Sequence, residues 1–150
     1  MIHYVFSFLN INETEFFINL FNKTNYDYRD DNVYRFYYMN LINHKLETKK
    51  FSKFEFKKFR IQMVNENVQQ VETFHNHANP WSFIIFLNDN FLGGEVVFEN
   101  KIYKPKKGDM IYFSGEELHR VNNCVGNRYT LVGFMNNNPL RIKKNNIHLI

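Results

Sequence analysis

Residues 82–99 read SFIIFLNDNFLGGEVVFE, and this stretch decides the fold class. It holds two short segments rich in β-branched and aromatic residues, SFIIFL (82–87) and EVVFE (95–99). Asn88-Asp89-Asn90 and Gly93-Gly94 part them. The same texture runs outward in both directions. Upstream are FRIQMV (59–64), closed by Asn65-Glu66-Asn67, and VQQVETFHNH (68–77), closed by Ala78-Asn79-Pro80. Downstream are MIYF (110–113), after Pro105-Lys106-Lys107-Gly108-Asp109, and YTLVGFM (129–135), before Asn136-Asn137-Asn138-Pro139. Short strands separated by Gly, Asn, Asp and Pro at close spacing predict an antiparallel sandwich or barrel.

Ahead of the strands the pattern predicts a helix. Asn12 reads as its N-cap and Glu15 as the return arm of a capping box, before an apolar stripe of Phe16, Phe17, Leu20 and Phe21. Residues 23–32 read as a polar turn, and Val33–Leu46 suits either helix or strand. With no repeat and no linker, the expectation is one domain over 1–150. A helical or irregular N-terminal support (1–58) would precede a β core (59–135) and a C-terminal tail (136–150).

Composition narrows the function. A chain of 150 residues with 44% apolar content, including 17 Phe and 9 Tyr, can bury a core, which excludes a disordered tail. The single cysteine, Cys124, excludes an internal disulfide framework and fits a reducing compartment. No apolar run reaches the ~18 residues of a membrane span. MIHYVFSFLN does not read as a signal peptide, so a cytoplasmic location is expected and no membrane partner. The net charge of +4 is spread over separate lysine pairs and triplets, so nucleic acid is not the expected partner.

The chemistry lies in the histidines. His75 and His77 stand two apart in a segment of strand character, so both imidazoles project from one face. His119 follows the strand at 110–113 and the turn Ser114–Glu117. In a folded-over sandwich these places can face each other, giving a three-point site with open coordination positions, as in non-haem iron enzymes.

The surrounding residues carry a resemblance. Phe86-Leu87-Asn88-Asp89-Asn90-Phe91-Leu92-Gly93-Gly94-Glu95 resembles the YLN-D-F-x-GGE stretch of the iron(II)/2-oxoglutarate dioxygenases related to prolyl 4-hydroxylases. Pro105–Phe113 is similar to their P-K-x-G segment, and His119-Arg120-Val121 with Gly126-Asn127-Arg128-Tyr129 to their H-x-V and G-x-R-Y ending. The resemblance covers about residues 59–135. It implies an all-β core with an N-terminal helix, in a double-stranded β-helix (a jelly-roll or cupin-like barrel) whose major sheet the helix buttresses. It also implies Fe(II) and 2-oxoglutarate, with O2 as co-substrate, ascorbate as a possible aid and hydroxylation of a protein side chain or small molecule as the reaction. His119 would be the distal iron ligand and Arg128 the partner of the distal 2-oxoglutarate carboxylate, since a guanidinium fork matches a carboxylate bidentately. Thr130, on the same strand face, would add a hydroxyl.

The chain departs from that family at the proximal motif. The usual H-x-D or H-x-E is replaced by His75-Asn76-His77, which resembles a less common H-x-H arrangement, or by His77-Ala78-Asn79 with Asn79 as an alternative ligand. Phe86 stands where a Tyr is often found. Trp81, Phe86 and Tyr112 are the candidate substrate-pocket aromatics. The prime substrate is unspecified by the sequence, and a chain this short would suit a homodimer. Two other readings share the barrel: a cupin-type metal-binding protein without 2-oxoglutarate chemistry, and a metal-free interaction module.

Overall fold

The computed structural model describes residues 1–23, 73–77 and 80–134 with their side chains, and the backbone of 28–30, 33–37, 61–66 and 135. In chain order the elements are β1 (Ile2–Val5), α1 (Ile11–Lys23), β2 (Tyr28–Asp30), β3 (Val33–Tyr37), β4 (Ile61–Glu66), β5 (Trp81–Phe86) and β6 (Leu92–Gly93). They continue with β7 (Val96–Phe98), β8 (Ile102–Tyr103), β9 (Met110–Ser114), β10 (His119–Val121), β11 (Cys124–Val125) and β12 (Arg128–Met135). Seven strands form one sheet in the order β1-β9-β5-β12-β4-β3-β2. Among the described residues there are also two smaller sheets, β10-β7-β8 and β11-β6. Every pairing among these strands is antiparallel.

Strand β5 lies inside the large sheet between β9 and β12, and Ser82 through Leu87 are all buried. Both faces of the strand are covered, and the pleat sends alternate residues to opposite cores. Phe83, Ile85 and Leu87 pack with Met110, Tyr112 and Leu131 against Phe17 and Phe21 of α1. Ile84 and Phe86 pack with Ile111 and Phe113 against Val96, Phe98 and Tyr103 of the small sheet. The helix therefore buttresses the outer face, and the barrel interior lies between the sheets. On the outer face Gly133 pairs with Phe83, and a Cβ there would fall 1.8 Å from the Phe83 ring, so the bare backbone makes room for the ring.

Helix α1 starts two residues earlier than the sequence predicts. Asn10, not Asn12, is the cap: Glu13 N–H donates to Asn10 Oδ1 at 2.9 Å, and Asn10 N–H to Glu13 Oε1 at 3.0 Å. Both Asn10–Glu13 and Asn12–Glu15 satisfy the capping-box spacing. Leu9 N–H donates to Gly108 O at 3.0 Å, pinning the chain to the β8–β9 loop just before Asn10. The N-terminal part is also more β-rich than expected. β1 pairs with β9 and forms one sheet edge, β2 falls in the stretch read as a turn, and β3 resolves the start of the ambiguous segment as strand. Positions 38–60 and the tail 136–150 lie outside the described residues. Asp109 fastens β1 to the barrel, accepting hydrogen bonds from the Tyr4 hydroxyl and from Ser7 N–H (2.8 Å).

Candidate metal centre

The segment carrying His75 and His77 is held in place by backbone. His75 N–H donates to His119 O and His119 N–H to His75 O, both at 3.0 Å, while His77 N–H donates to Gly115 O at 3.1 Å. The two distant places read from the sequence are thus joined by an isolated antiparallel bridge, with His75 and His77 in an extended segment outside the named strands, and the three imidazoles converge. One ligand nitrogen from each lies within 4.8 Å of the others, and Nε2 of His77 is 3.1 Å from Nε2 of His119.

Hydrogen bonds set the tautomers. Nδ1 of His75 contacts Thr73 O and Nδ1 of His119 contacts Glu117 O, each at 3.0 Å. A carbonyl only accepts, so both Nδ1 atoms carry the proton and both Nε2 atoms present lone pairs. Backbone partners of this kind orient metal-ligating histidines. Two imidazole nitrogens on adjacent positions of one ion, about 2.1 Å from it, stand about 3 Å apart. The 3.1 Å separation and the presented lone pairs fit a divalent ion. Among the described residues the donor set is three imidazoles.

His119 is 3% exposed, whereas His75 and His77 are half-buried, so the centre opens on the His75–His77 side. Burial holds the His119 imidazole below its ordinary pKa. The hydrogen bond to Glu117 opposes that shift and the nearby His75 adds to it. His119 is accordingly neutral at neutral pH. Its ring lies 4.7 Å from Phe113 and 5.9 Å from Phe98, and the His77 ring meets Phe134 edge-on at 5.0 Å. These contacts set the centre on the apolar interior of the barrel.

The inner face of β12 leads from this centre to an arginine. Thr130 pairs with Phe86, Val132 with Ile84 and Phe134 with Ser82, so alternate residues from Arg128 to Phe134 share the barrel side. Arg128 is 2% exposed, its Nε donates to Gly94 O at 3.1 Å, and its Cζ lies 5.8 Å from the Phe86 ring centre. A Cβ on Gly94 would stand 3.0 Å from Arg128 Cδ, and its φ of +73° lies in the left-handed region, as does the +74° of Gly93, so the Gly-Gly pair lets the side chain pass. The buried hydroxyls of Thr130 and Ser82 have no hydrogen-bond partner among the described residues.

The sheet does not bring every candidate to this interior. Phe86 lies beside Arg128, but Trp81 and Tyr112 belong to the helix-side cluster, where the Tyr112 ring stacks on His3 at 4.8 Å. They face away from the triad because the pleat separates them from Phe86 by an odd strand step across paired positions. Asn79 lies outside the described residues. Sequence reasoning read Ser82 and Asn88 only as parts of motifs and gave neither a role, although period two from Phe86 puts Ser82 on the barrel side.

The sequence model of the 2OG-Fe(II) oxygenase superfamily matches residues 61–136, which span the strands from β4 to β12. The chain belongs to this superfamily. Its double-stranded β-helix is similar to that of the viral collagen prolyl hydroxylase of Paramecium bursaria Chlorella virus-1 in its 2OG complex. Identity there is 19%, the TM-score 0.69, and the match covers 89% of this chain and 94% of that one. It is also similar to a Trichoplax adhaerens prolyl hydroxylase in complex with a hypoxia inducible factor peptide fragment (12% identity, TM-score 0.69, 89% and 82% covered). A third likeness is to a Pseudomonas putida prolyl-4-hydroxylase (12% identity, TM-score 0.62, 89% and 90% covered). At these identities the likeness is one of fold. No curated protein matches the sequence.

Proposed function

We propose that this member of the superfamily is an Fe(II)- and 2-oxoglutarate-dependent dioxygenase that hydroxylates a protein side chain or a small molecule. The observation that carries the reading is the convergence of three imidazoles on the barrel interior that also receives the buried Arg128. His75, His77 and His119 would hold the ion, which when bound supplies a Lewis-acidic anchor for the keto acid and an electron source for O2. Arg128 would bind the distal carboxylate through its fork, with the Thr130 hydroxyl as a second donor. Ile84, Phe86 and Val132 form an apolar wall between the two ends and keep water from the reacting groups. The overall reaction joins O2 and 2-oxoglutarate to a C–H bond of the substrate and yields the C–OH product, succinate and CO2. Prolyl hydroxylases among the structural relatives support a peptide as a candidate substrate. An intracellular location and a homodimer belong to the same proposal. Among the described residues no helix is long and apolar enough to cross a membrane.

The test is succinate release from 2-oxoglutarate with Fe(II), O2 and ascorbate. Activity that disappears in His119→Ala and Arg128→Met supports the reading, and absence of any succinate from the metal-loaded wild type overturns it. The all-imidazole donor set favours a second reading, a cupin-type metal protein without 2-oxoglutarate chemistry. That protein would bind the ion and ignore the keto acid.

A further inference from the structure

We propose that Asn88 is a positioning residue that sets the aim of Arg128, an inference that rests on Arg128 being the partner of the distal carboxylate. Strand β5 ends at Phe86, and β12 begins at Arg128. Just past the last paired residues, the Asn88 side chain replaces the missing ladder. Its Nδ2 donates to Asn127 O at 2.8 Å, and its Oδ1 accepts from Tyr129 N–H at 2.8 Å. One carboxamide thus grips the peptide groups on both sides of Arg128. The amide orientation is fixed by its partners, because a backbone carbonyl only accepts and a backbone N–H only donates. Nδ2 also donates to Asn90 Oδ1 at 2.7 Å, which ties the clamp into the β5–β6 loop. Asn88 is 9% exposed, so these bonds form in a setting where leaving a partner unmade is costly.

On its other side Arg128 pairs with Glu66 of β4, and its Nε is anchored on Gly94 O. The amide clamp adds a hold on the arginine backbone to these restraints. Loosening it frees the start of β12 to shift, and a fork that must meet a carboxylate in two parallel bonds loses alignment sooner than a point charge would. Asn88 touches neither the triad nor the keto group's end of the pocket, so its effect is confined to ligands with a distal carboxylate.

The experiment uses the full chain loaded with Mn(II) and two keto acids, 2-oxoglutarate and pyruvate, which lacks the distal carboxylate. In Asn88→Ala the affinity for 2-oxoglutarate falls about tenfold, while the affinities for pyruvate and for Mn(II) hold. In an Arg128→Met background, Asn88→Ala has no further effect, since a residue acting through Arg128 has nothing left to position. Asn88→Asp keeps the acceptor for Tyr129 N–H and loses the donor to Asn127 O. It gives the same pattern if the alanine variant fails to fold. Unchanged 2-oxoglutarate affinity overturns the proposal, as does an equal loss for pyruvate and Mn(II), which marks general damage to the barrel. A wild type that binds both keto acids alike overturns the co-substrate reading, and the positioning role with it.

Discussion

Replacing Arg128 with Met keeps an unbranched side chain against Phe86 and removes the fork. Arg128 is 2% exposed, so a carboxylate paired with it is almost wholly withdrawn from water. Truncating one partner of such a buried, hydrogen-bonded charge pair costs about 2–5 kcal/mol. At ~1.4 kcal/mol per tenfold, 2-oxoglutarate affinity should fall between about 30-fold and several thousand-fold. The fold should bear the change. Among the bonds lost within the protein is the charge-assisted one from Nε to Gly94 O at 3.1 Å, worth about 1.5–3 kcal/mol, or roughly 3–12 °C in Tm for a chain of this size. Arg128→Lys keeps the charge and loses the bidentate geometry, so it should fall between Met and wild type. Calorimetric titration of 2-oxoglutarate into the Mn(II)-loaded, oxygen-free proteins reads the affinity, and thermal melts read the fold. A folded Arg128→Met protein that binds 2-oxoglutarate like the wild type would refute the assignment of Arg128, whatever the metal does.

Single His75→Ala, His77→Ala and His119→Ala substitutions should each weaken divalent-metal binding in calorimetry, and wild-type affinity should fall in acid, because a protonated imidazole has no lone pair left to ligate. Three unchanged isotherms would remove the site. Metal removal by chelator should leave the melting transition cooperative, because backbone hydrogen bonds from His75, His77 and His119 already hold the ligand-bearing segments; unfolding on chelation would make the metal structural. Phe83→Ala opens a hole between Gly133 and α1 and should cost about 3–5 kcal/mol in urea unfolding. Tyr112→Phe removes a buried hydroxyl with no hydrogen-bond partner among the described residues, so its stability should equal or exceed wild type by up to about 1 kcal/mol. Burial holds the Tyr112 phenol above its ordinary range, so the unfolded chain gives up this proton first. Its contribution is whole below about pH 10 and is lost as pH rises further. Melts from pH 8 to 11 should therefore fall less steeply for Tyr112→Phe, and parallel curves would contradict this.

The β architecture was legible because its strands are short, β-branched or aromatic, and bounded by Asn, Gly and Pro. β5, β7, β9 and β12 fall within a residue or two of the segments read from sequence. What escaped was decided by distant partners. β1 is a strand because β9 offers it an edge, and the helix cap settles on Asn10 because Gly108 O holds the preceding residue. Nothing in the local pattern distinguishes Asn10 from Asn12. β6, β8 and β11 are two residues each, shorter than any periodicity can reveal.

The site divides along the same line. His75 and His77 were legible because a spacing of two has only one meaning on an extended segment, and the facing His119 followed from its place after a strand. Which side of the sheet each aromatic takes was not legible. Alternation reports a face only when one face is wet, and β5 is buried on both, so its residues give no period-two signal. Trp81 and Tyr112 consequently looked equivalent to Phe86, though the pleat puts them under the helix. Arg128 shows the converse. A charged residue opening a strand reads as surface, yet here Gly94 supplies both the carbonyl for its Nε and the space for its Cδ. The Gly-Gly pair and the arginine are separated by more than thirty positions in the chain, and only the closed barrel makes one the reason for the other.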